Sequence, residues 1–405
     1  MPPGPVALVA GTLSTAAVAG IAACGAAPYT PALPSTGTGS GSSSPAAGGA
    51  VASALASTWA GYKQRFIQAD GRVVDPKRNG DTTSEGQSYA LLRAAWMDDQ
   101  ASFARVWRWT QDNLGTSNGL FGYLWGQRSG GGWGLLSRNS ATDADQDIAL
   151  ALLLAAQRWG GGGYRDAAAA VVRAIWATEV ARLDGVPYVV AGNWAASTSP
   201  GPTLNPSYLA PYAYRLFAQL DGDHPWSEVV DSSYRALSAC TAAPLSTGRS
   251  AGLPPNWCVL TAGGRAASAT TMQAADDYGY DAFRVMWRVA LDWVWNGEPR
   301  ARDYLRGAGF LRAAWQRDGR LAAVYHHDGG AAAGYEDVAA YGADVANFVA
   351  TDAVAARQVA AGKLLAAYAT SGGAAHFGDP DDYYQQNWAW FGLALAAGRI
   401  PPPHQ

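Results

Sequence analysis

The amino-acid sequence predicts an all-α protein, a closed toroid of six inner and six outer helices, on three observations. From residue 52 onward, apolar residues recur at helical spacing in segments bounded by Gly, Pro and Asp. Almost no segment shows the period-two alternation that a half-buried strand needs. No repeat of fixed period is present, so the hairpins of helices are expected to close on themselves rather than stack as a uniform solenoid. Abundant Ala and 48 Gly, with only 15% charged residues, fit tightly packed helices joined by flexible loops.

The helices are expected near 52–68, 84–97, 99–114, 144–159, 164–183, 207–220, 225–240, 279–295, 300–316, 338–350, 352–370 and 382–397. The second opens with Ser84 in SEGQ, and Asp99 stands at the head of the third, whose apolar face carries Phe103, Val106, Trp107 and Leu114. Gly160 to Gly163 form a stop and turn between the fourth and fifth. Such a toroid gathers inner-helix ends and their loops on one face, and loops on that face are expected to hold the site.

Ahead of these helices, Val6 to Cys24 is an apolar run without charge, too short and too Gly-rich for a membrane span and suited to the core of an export signal. It ends in Ile21, Ala22, Ala23 and Cys24, which resembles a bacterial lipobox with Cys24 as the lipidated residue. No Lys or Arg precedes the run, so the usual positive segment is missing from it. Residues 30–50 are Pro, Ser, Thr and Gly without apolar period, a flexible tether. The expected division is a signal at 1–28, a linker at 29–51 and one domain at 52–400, in an extracytoplasmic protein that is secreted, periplasmic or lipid-anchored to a membrane. Cys240 and Cys258 remain; in an exported protein they can form a disulfide, and two free buried thiols are the alternative.

With 29 basic and 32 acidic residues, a net charge of -3 and no block of either sign, the chain is not expected to bind nucleic acid. It carries 17 Trp and 19 Tyr against 9 Phe, residues that join a flat apolar face to a polar handle and suit stacking on sugars in water; most are expected to fill the core. His224, His326, His327, His376 and His404 are scattered, with no HExxH and no Cys cluster, so neither a metal nor a cofactor is expected. His326 and His327, beside Asp328, are assigned to a loop because adjacent side chains do not converge on one ion. There is no GxSxG nucleophile elbow between a strand and a helix, no GxxxxGKS phosphate loop and no GxGxxG after a predicted strand.

Carboxylate chemistry is what remains. Acetal hydrolysis needs one protonated carboxyl to donate to the leaving oxygen and one ionised carboxylate to activate water or attack the sugar. Three segments offer acids within apolar or aromatic sequence. Glu85 opens a helix in DTTSEGQSYALLRAAW, where it also suits the helix dipole. Asp143, Asp145 and Asp147 crowd the entry of a nearly uncharged helix, where one cap would suffice. Asp281 lies among Tyr278, Tyr280 and Phe283, one turn before Arg284, which would hold it ionised; a structural ion pair is the alternative.

The stretches SEGQSYALLRAAW, ATDADQDIALALLLAAQRW, NPSYLAPYAYRLF and YGYDAFRVMWRVALDWVW, in that order, resemble glycoside hydrolase family 8 over residues 60–398. DGRVVDPKRNGDTTSEGQSYALL, with LWG and WGLLSRNSATDAD, is similar to the periplasmic endoglucanases that accompany bacterial cellulose synthases. The resemblance implies an (α/α)6 barrel and an inverting endo-β-1,4-glucanase acting on cellulose or a related glucan. It makes Glu85 the general acid, Asp281 the general base, and Asp143 the carboxylate that binds and distorts the sugar at the cleavage point. Arg284 would brace Asp281 and Tyr208 would help hold the attacking water.

Trp125, Trp194 and Tyr384 are the expected stacking platforms, with Tyr123 and Tyr280 also at the substrate. Tyr123 stands where relatives carry Trp, and Asn256 in PPNW where Asp is expected; these departures bear on subsite preference and leave the catalytic set intact. The expected partners are the β-glucan and, through Cys24 or a cellulose synthesis or export system, the cell envelope, with the protein a monomer. The alternatives are the same fold acting on xylan, lichenan or chitosan, and a non-catalytic polysaccharide-binding or export-accessory protein. Glu85, Asp143 and Asp281 together speak against the last, since binding needs stacking faces but no acid and base pair.

Overall fold

A computed structural model describes residues 45–403. Cys24, the 1–28 segment and the linker as far as residue 44 lie outside the described residues. The helices are α1 (Pro45–Phe66), α2 (Ser84–Trp96), α3 (Gln100–Leu114), α4 (Thr142–Trp159), α5 (Tyr164–Glu179), α6 (Pro211–Leu220), α7 (Trp226–Ala242), α8 (Arg284–Asn296), α9 (Pro299–Gly307), α10 (Gly309–Asp318), α11 (Val338–Thr351), α12 (Ala353–Val359) and α13 (Tyr383–Ala396). They form the expected (α/α)6 barrel: α2, α4, α6, α8, α11 and α13 make the inner ring, and α1, α3, α5, α7, α9 with α10, and α12 the outer one.

Burial explains the division. Every residue of α2 is buried and α4 is buried from Thr142 to Ala155, whereas α3 buries only the stripe Ser102, Phe103, Val106, Trp107, Trp109, Thr110 and Leu114. Where the inner ring is tightest, α11 meets α13 through glycine. A Cβ on Gly342 would stand 2.1 Å from the Trp388 carbonyl oxygen, and one on Gly392 would stand 2.0 Å from that of Gly342. Elsewhere long polar side chains close the ring: Trp388 Nε1 donates to the Tyr89 hydroxyl at 2.8 Å between α13 and α2, and the Tyr214 hydroxyl donates to Gln146 Oε1 at 3.0 Å between α6 and α4. The Trp excess serves the core in large part, with Trp226, Trp287, Trp388 and Trp390 fully buried. Truncating one of these to Ala would cost about 3–5 kcal/mol.

The connections differ sharply between the two faces. Inner helices run into outer ones through short links such as 97–99, 160–163 and 297–298, while outer helices return through long segments, 67–83, 115–141, 180–210, 243–283, 319–337 and 360–382. These long segments hold four small antiparallel sheets, which correct the expectation of almost no strand. One joins β1 (Thr82–Thr83), β2 (Leu124–Gln127) and β3 (Trp133–Ser137); the next joins β4 (Val180–Leu183) and β5 (Val186–Val189). Another joins β6 (Thr203–Leu204), β7 (Cys258–Thr261) and β8 (Arg265–Ser268), and the last β9 (Tyr368–Ser371) and β10 (Ala374–Phe377).

Several helix bounds also differ from expectation. α1 starts at Pro45, inside the tract read as linker. α5 stops at Glu179 because Asp184 and Gly185, at φ 52 and 81, form a tight turn that folds 180–189 into a hairpin. The helix expected at 207–220 starts only at Pro211, after a 3-10 turn over Pro206–Tyr208 capped by Asn205. That at 279–295 starts at Arg284, that at 300–316 breaks at Ala308 between Gly307 and Gly309, and that at 352–370 ends as π and 3-10 turns before β9. α2 opens at Ser84 as expected, with Thr83 as its cap, and Asp99 caps α3, accepting from Ser102 N at 3.0 Å. Cys240 and Cys258 are joined in a disulfide that ties the end of α7 to β7. Among the described residues no helix is long and apolar enough to cross a membrane.

Candidate active site

All six inner helices begin on the long-loop face, and the predicted acids sit at three of those beginnings. Glu85 lies in the first turn of α2, where the Thr83 hydroxyl accepts from Gly86 N at 3.0 Å and fixes the helix start. Asp143 lies in the first turn of α4. That helix has no side-chain cap, contrary to the expectation that one of its three acids would cap it; Asp143 Oδ1 instead accepts from Ala144 N at 2.9 Å. Asp281 stands in the turn that precedes α8, and Arg284 is the first residue of α8 itself.

One guanidinium gathers all three. Arg284 is fully buried; its Nη2 donates to Asp281 Oδ1, its Nη1 lies 3.5 Å from Asp143 Oδ2 and 4.0 Å from Glu85 Oε2, and its Nε donates to the Asp281 carbonyl at 3.1 Å. Asp281 Oδ1 also accepts from Asn205 Nδ2 at 2.8 Å, and Trp257 hydrogen-bonds the same carboxylate. Glu85 Oε1 accepts from the Tyr383 hydroxyl, while its Oε2 has no hydrogen-bond donor.

Burial and mutual repulsion work against ionising all three carboxyl groups around one cation. Burial dominates each of them. It raises Glu85 to about 7 against the opposing pull of Arg284 and Tyr383, and raises Asp281 only to about 6 because Arg284, Asn205 and Trp257 favour its anion. Asp143 is pushed well above the usual carboxylate range, burial again outweighing Arg284 and Arg288. The site thus holds an acid that keeps its proton beside an acid that gives it up more readily.

The predicted aromatics divide into two groups. Tyr208 is buried with its ring under Arg284, 5.6 Å from the guanidinium, and edge-on to Trp257, which in turn lies 6.3 Å from Trp194. Tyr384 packs against Phe283 and Tyr280 and donates its hydroxyl to the Tyr280 carbonyl, while the Tyr280 hydroxyl donates to Asp337 Oδ2 at 2.9 Å. Tyr123 and Trp125 belong to a separate wall: Ser84 N donates to the Tyr123 carbonyl at 3.1 Å, and Trp125 pairs with Thr82 across β1 and β2. Trp125 stacks at 5.2 Å on Trp133, which is 43% exposed.

Sequence reasoning missed Asn205, Trp257, Tyr383 and Trp133. Only the neighbours of three of them drew notice, in NPSY, PPNW and the choice of Tyr384. Asn256 shapes the turn that presents Asp281, since its Oδ1 accepts from Gly279 N at 3.3 Å and Ala282 N at 2.9 Å. An Asp at this position could accept the same two bonds, but would lose the Nδ2 donation to the Ala274 carbonyl at 2.9 Å. His326 and His327 lie in the 319–337 segment as expected, His326 Nδ1 2.9 Å from Asp277 Oδ1 and His327 Nε2 2.8 Å from the Ala243 carbonyl. A groove of about 1090 Å³ between α7 and α9 contains none of the predicted residues, and its Arg300 is already paired with Asp231 and Glu298.

A pair of carboxyls, one holding its proton more tightly than the other, is what the class of glycoside hydrolases uses, and here it sits on the long-loop face of a helical toroid. Residues 45–396 match the family model of the glycosyl hydrolases family 8, and the chain belongs to that family. It is 35% identical over 277 residues, 63% of this chain, to an endoglucanase of Pseudomonas fluorescens, and the matched region spans 64% of that relative's length. Its fold is similar to that of the endo-beta-1,4-glucanase CMCax from Acetobacter xylinum (TM-score 0.68, 24% identity, covering 86% of this chain and 99% of that one). It is also similar to that of a beta-1,3-1,4-glucanase from Paenibacillus sp. X4 (TM-score 0.74, 23% identity, 92% and 97%). At these identities the two likenesses bear on the fold.

Proposed function

We propose that the protein is an endo-acting hydrolase of β-1,4-glucan that works by single displacement with inversion. The observation that carries this reading is the arrangement round Arg284, in which Glu85 is raised to about 7 and Asp281 to about 6. At weakly acidic pH Glu85 is protonated and gives its proton to the leaving oxygen as the bond from that oxygen to the anomeric carbon breaks. Asp281 takes a proton from a water that attacks the same carbon from the opposite face. Asp143, whose proton affinity burial raises, engages the sugar at the cleavage point. Tyr208 helps to hold the water, and Trp125, Trp194, Tyr384, Tyr123 and Tyr280 line the path of the chain. Such a mechanism requires Glu85 and Asp281 carboxyls roughly 6.5–9.5 Å apart.

Family membership and the endoglucanase relatives support a neutral glucan as substrate. The test is release of reducing ends from carboxymethylcellulose, lichenan, xylan and chitosan. The reading expects the β-glucans to be cleaved fastest; exclusive action on xylan or chitosan, or on none of the four, would overturn it.

The protein is proposed to act outside the cytoplasm as a monomer, held to the envelope by a lipidated Cys24 beside a polysaccharide synthesis or export system. The uncharged run Val6 to Cys24 supports export, and so does the Cys240–Cys258 disulfide, a bond that persists in oxidising compartments. Radiolabelled palmitate incorporation that survives in the wild type and vanishes in Cys24→Ser checks the anchor.

A further inference from the structure

Beside the site lies a second pair of carboxyls that hydrolysis does not use. Asp145, in the first turn of α4, and Glu179, the last residue of α5, are both fully buried. Asp145 Oδ1 accepts from Phe121 N at 2.9 Å, and Glu179 Oε1 accepts from the Ser140 hydroxyl at 2.5 Å. The Thr142 hydroxyl also approaches Glu179, but it donates its proton to the Val190 carbonyl at 2.6 Å. Asp145 Oδ2 and Glu179 Oε2 receive no N–H or O–H from any other residue, and the two carboxyls lie close enough for each to shift the other's proton affinity. The titratable groups that face them are Asp143 on α4 and Tyr214 on α6; no Lys, Arg or His among the described residues pairs with either carboxyl.

Two carboxylates in a dry site without a cation repel strongly, whereas one proton shared between their free oxygens turns the repulsion into a hydrogen bond. The bonds at the far oxygens lead to two of the long segments on the site face, 115–141 and 180–210. Phe121 belongs to the segment that carries Tyr123. Ser140 leads into Asp143, and Ser140 exchanges bonds with Asn193, next to Trp194, at 3.1 and 2.9 Å. α4 has no side-chain cap of its own.

We propose that Asp145 and Glu179 share one proton and act as a positioning pair, tying the start of α4 to the end of α5 and holding Asp143 in register with the loops on either side. Burial raises Glu179 to about 7 and Asp145 well above the carboxylate range, in keeping with a retained proton. The sign follows from linkage. Both groups bind protons more tightly folded than unfolded, so their contribution to stability is full below about pH 4, the unfolded range, and declines as pH rises, Glu179's part being lost through about 7.

The part that concerns Asp143 rests on the proposed hydrolysis; the shared proton does not. The test compares the full chain with its Glu179→Gln and Glu179→Ala variants by thermal unfolding from pH 5 to 9 and by turnover of a soluble β-glucan at pH 6. In Glu179→Gln the amide N–H replaces the shared proton, so Tm should match the wild type at pH 5 and exceed it by about 2 °C or more at pH 8. Its kcat should stay within about twofold, while Glu179→Ala should melt lower at every pH and lose about 10- to 100-fold in kcat with a smaller change in KM. A Gln variant that melts like the Ala variant, or a gap from the wild type that is the same at every pH, would overturn the proton-sharing pair. Should the wild type hydrolyse no glucan, the melting curves still decide for or against the pair while the hydrolytic reading alone fails.

Discussion

Helices α4 and α8 bring arginine against aspartate twice, one turn apart, with opposite results. At the mouth of the barrel Arg284 meets Asp143, and also Asp281 and Glu85. One turn deeper Arg288 meets Asp147 through two nearly equal bonds of 3.1 and 3.0 Å and adds the Tyr212 hydroxyl at 2.8 Å. All four of these Asp and Arg residues on the two helices are fully buried. In the deeper layer one cation stands against one anion. The upper layer carries three acids for one cation, and the surplus must be met by bound protons. Stoichiometry, more than residue type, separates an internal strut from a candidate acid and base.

The largest effect that would sharpen this contrast is chemical. Glu85→Gln keeps the shape of the protonated acid and removes its proton, so kcat should fall about 10²- to 10⁴-fold while the melting temperature holds or rises. Turnover near the wild-type rate would end the assignment of Glu85. Next, Asp147→Ala strands a buried guanidinium and should cost about 3–5 kcal/mol in denaturant unfolding. Asp143→Asn, by contrast, thins an overloaded cluster and should leave stability unchanged or raised while turnover drops. Equal destabilisation by the two substitutions would erase the distinction between the layers.

A third outcome concerns pH. The kcat/KM profile should rise through about 6 as Asp281 ionises and fall through about 7 as Glu85 loses its proton. Stability should move the other way. These raised carboxyls favour the fold fully below the ordinary carboxylate range near 4, and that contribution should fade as pH climbs through 6 to 7. The smallest effect is expected from Asn205→Ala, which removes one donor from the Asp281 anion. It should raise the acidic limb by about one pH unit and leave the alkaline limb in place.

Much of the barrel was legible in the sequence because each helix announces itself locally. The apolar run after Asp143 and the stripe Phe103, Val106, Trp107 and Leu114 need no distant partner to be read as helix. The hairpin at 180–189 was missed although Asp184 and Gly185 mark its turn, because the helical period of α5 runs on into Val180 and Leu183. At the site, Glu85, Asp143 and Asp281 stood out as acids in apolar surroundings and gained their roles from family resemblance. Tyr383, Asn205 and Trp257 gave no such signal. Tyr383 reaches Glu85 across 298 positions and Asn205 reaches Asp281 across 76, and only the closure of the ring brings them together. Likewise Asp145 and Asp147 read as equivalents of Asp143, yet the helix turn sends one to Glu179 and the other to Arg288.

The measurement that bears most directly on the Arg284 cluster as an acid and base pair is the anomeric form of the first product. Hydrolysis of a soluble cello-oligosaccharide should be followed by proton NMR before mutarotation sets in. The account predicts that the α-anomer appears first, from a water activated by Asp281 on the face opposite Glu85. Initial appearance of the β-anomer would contradict it.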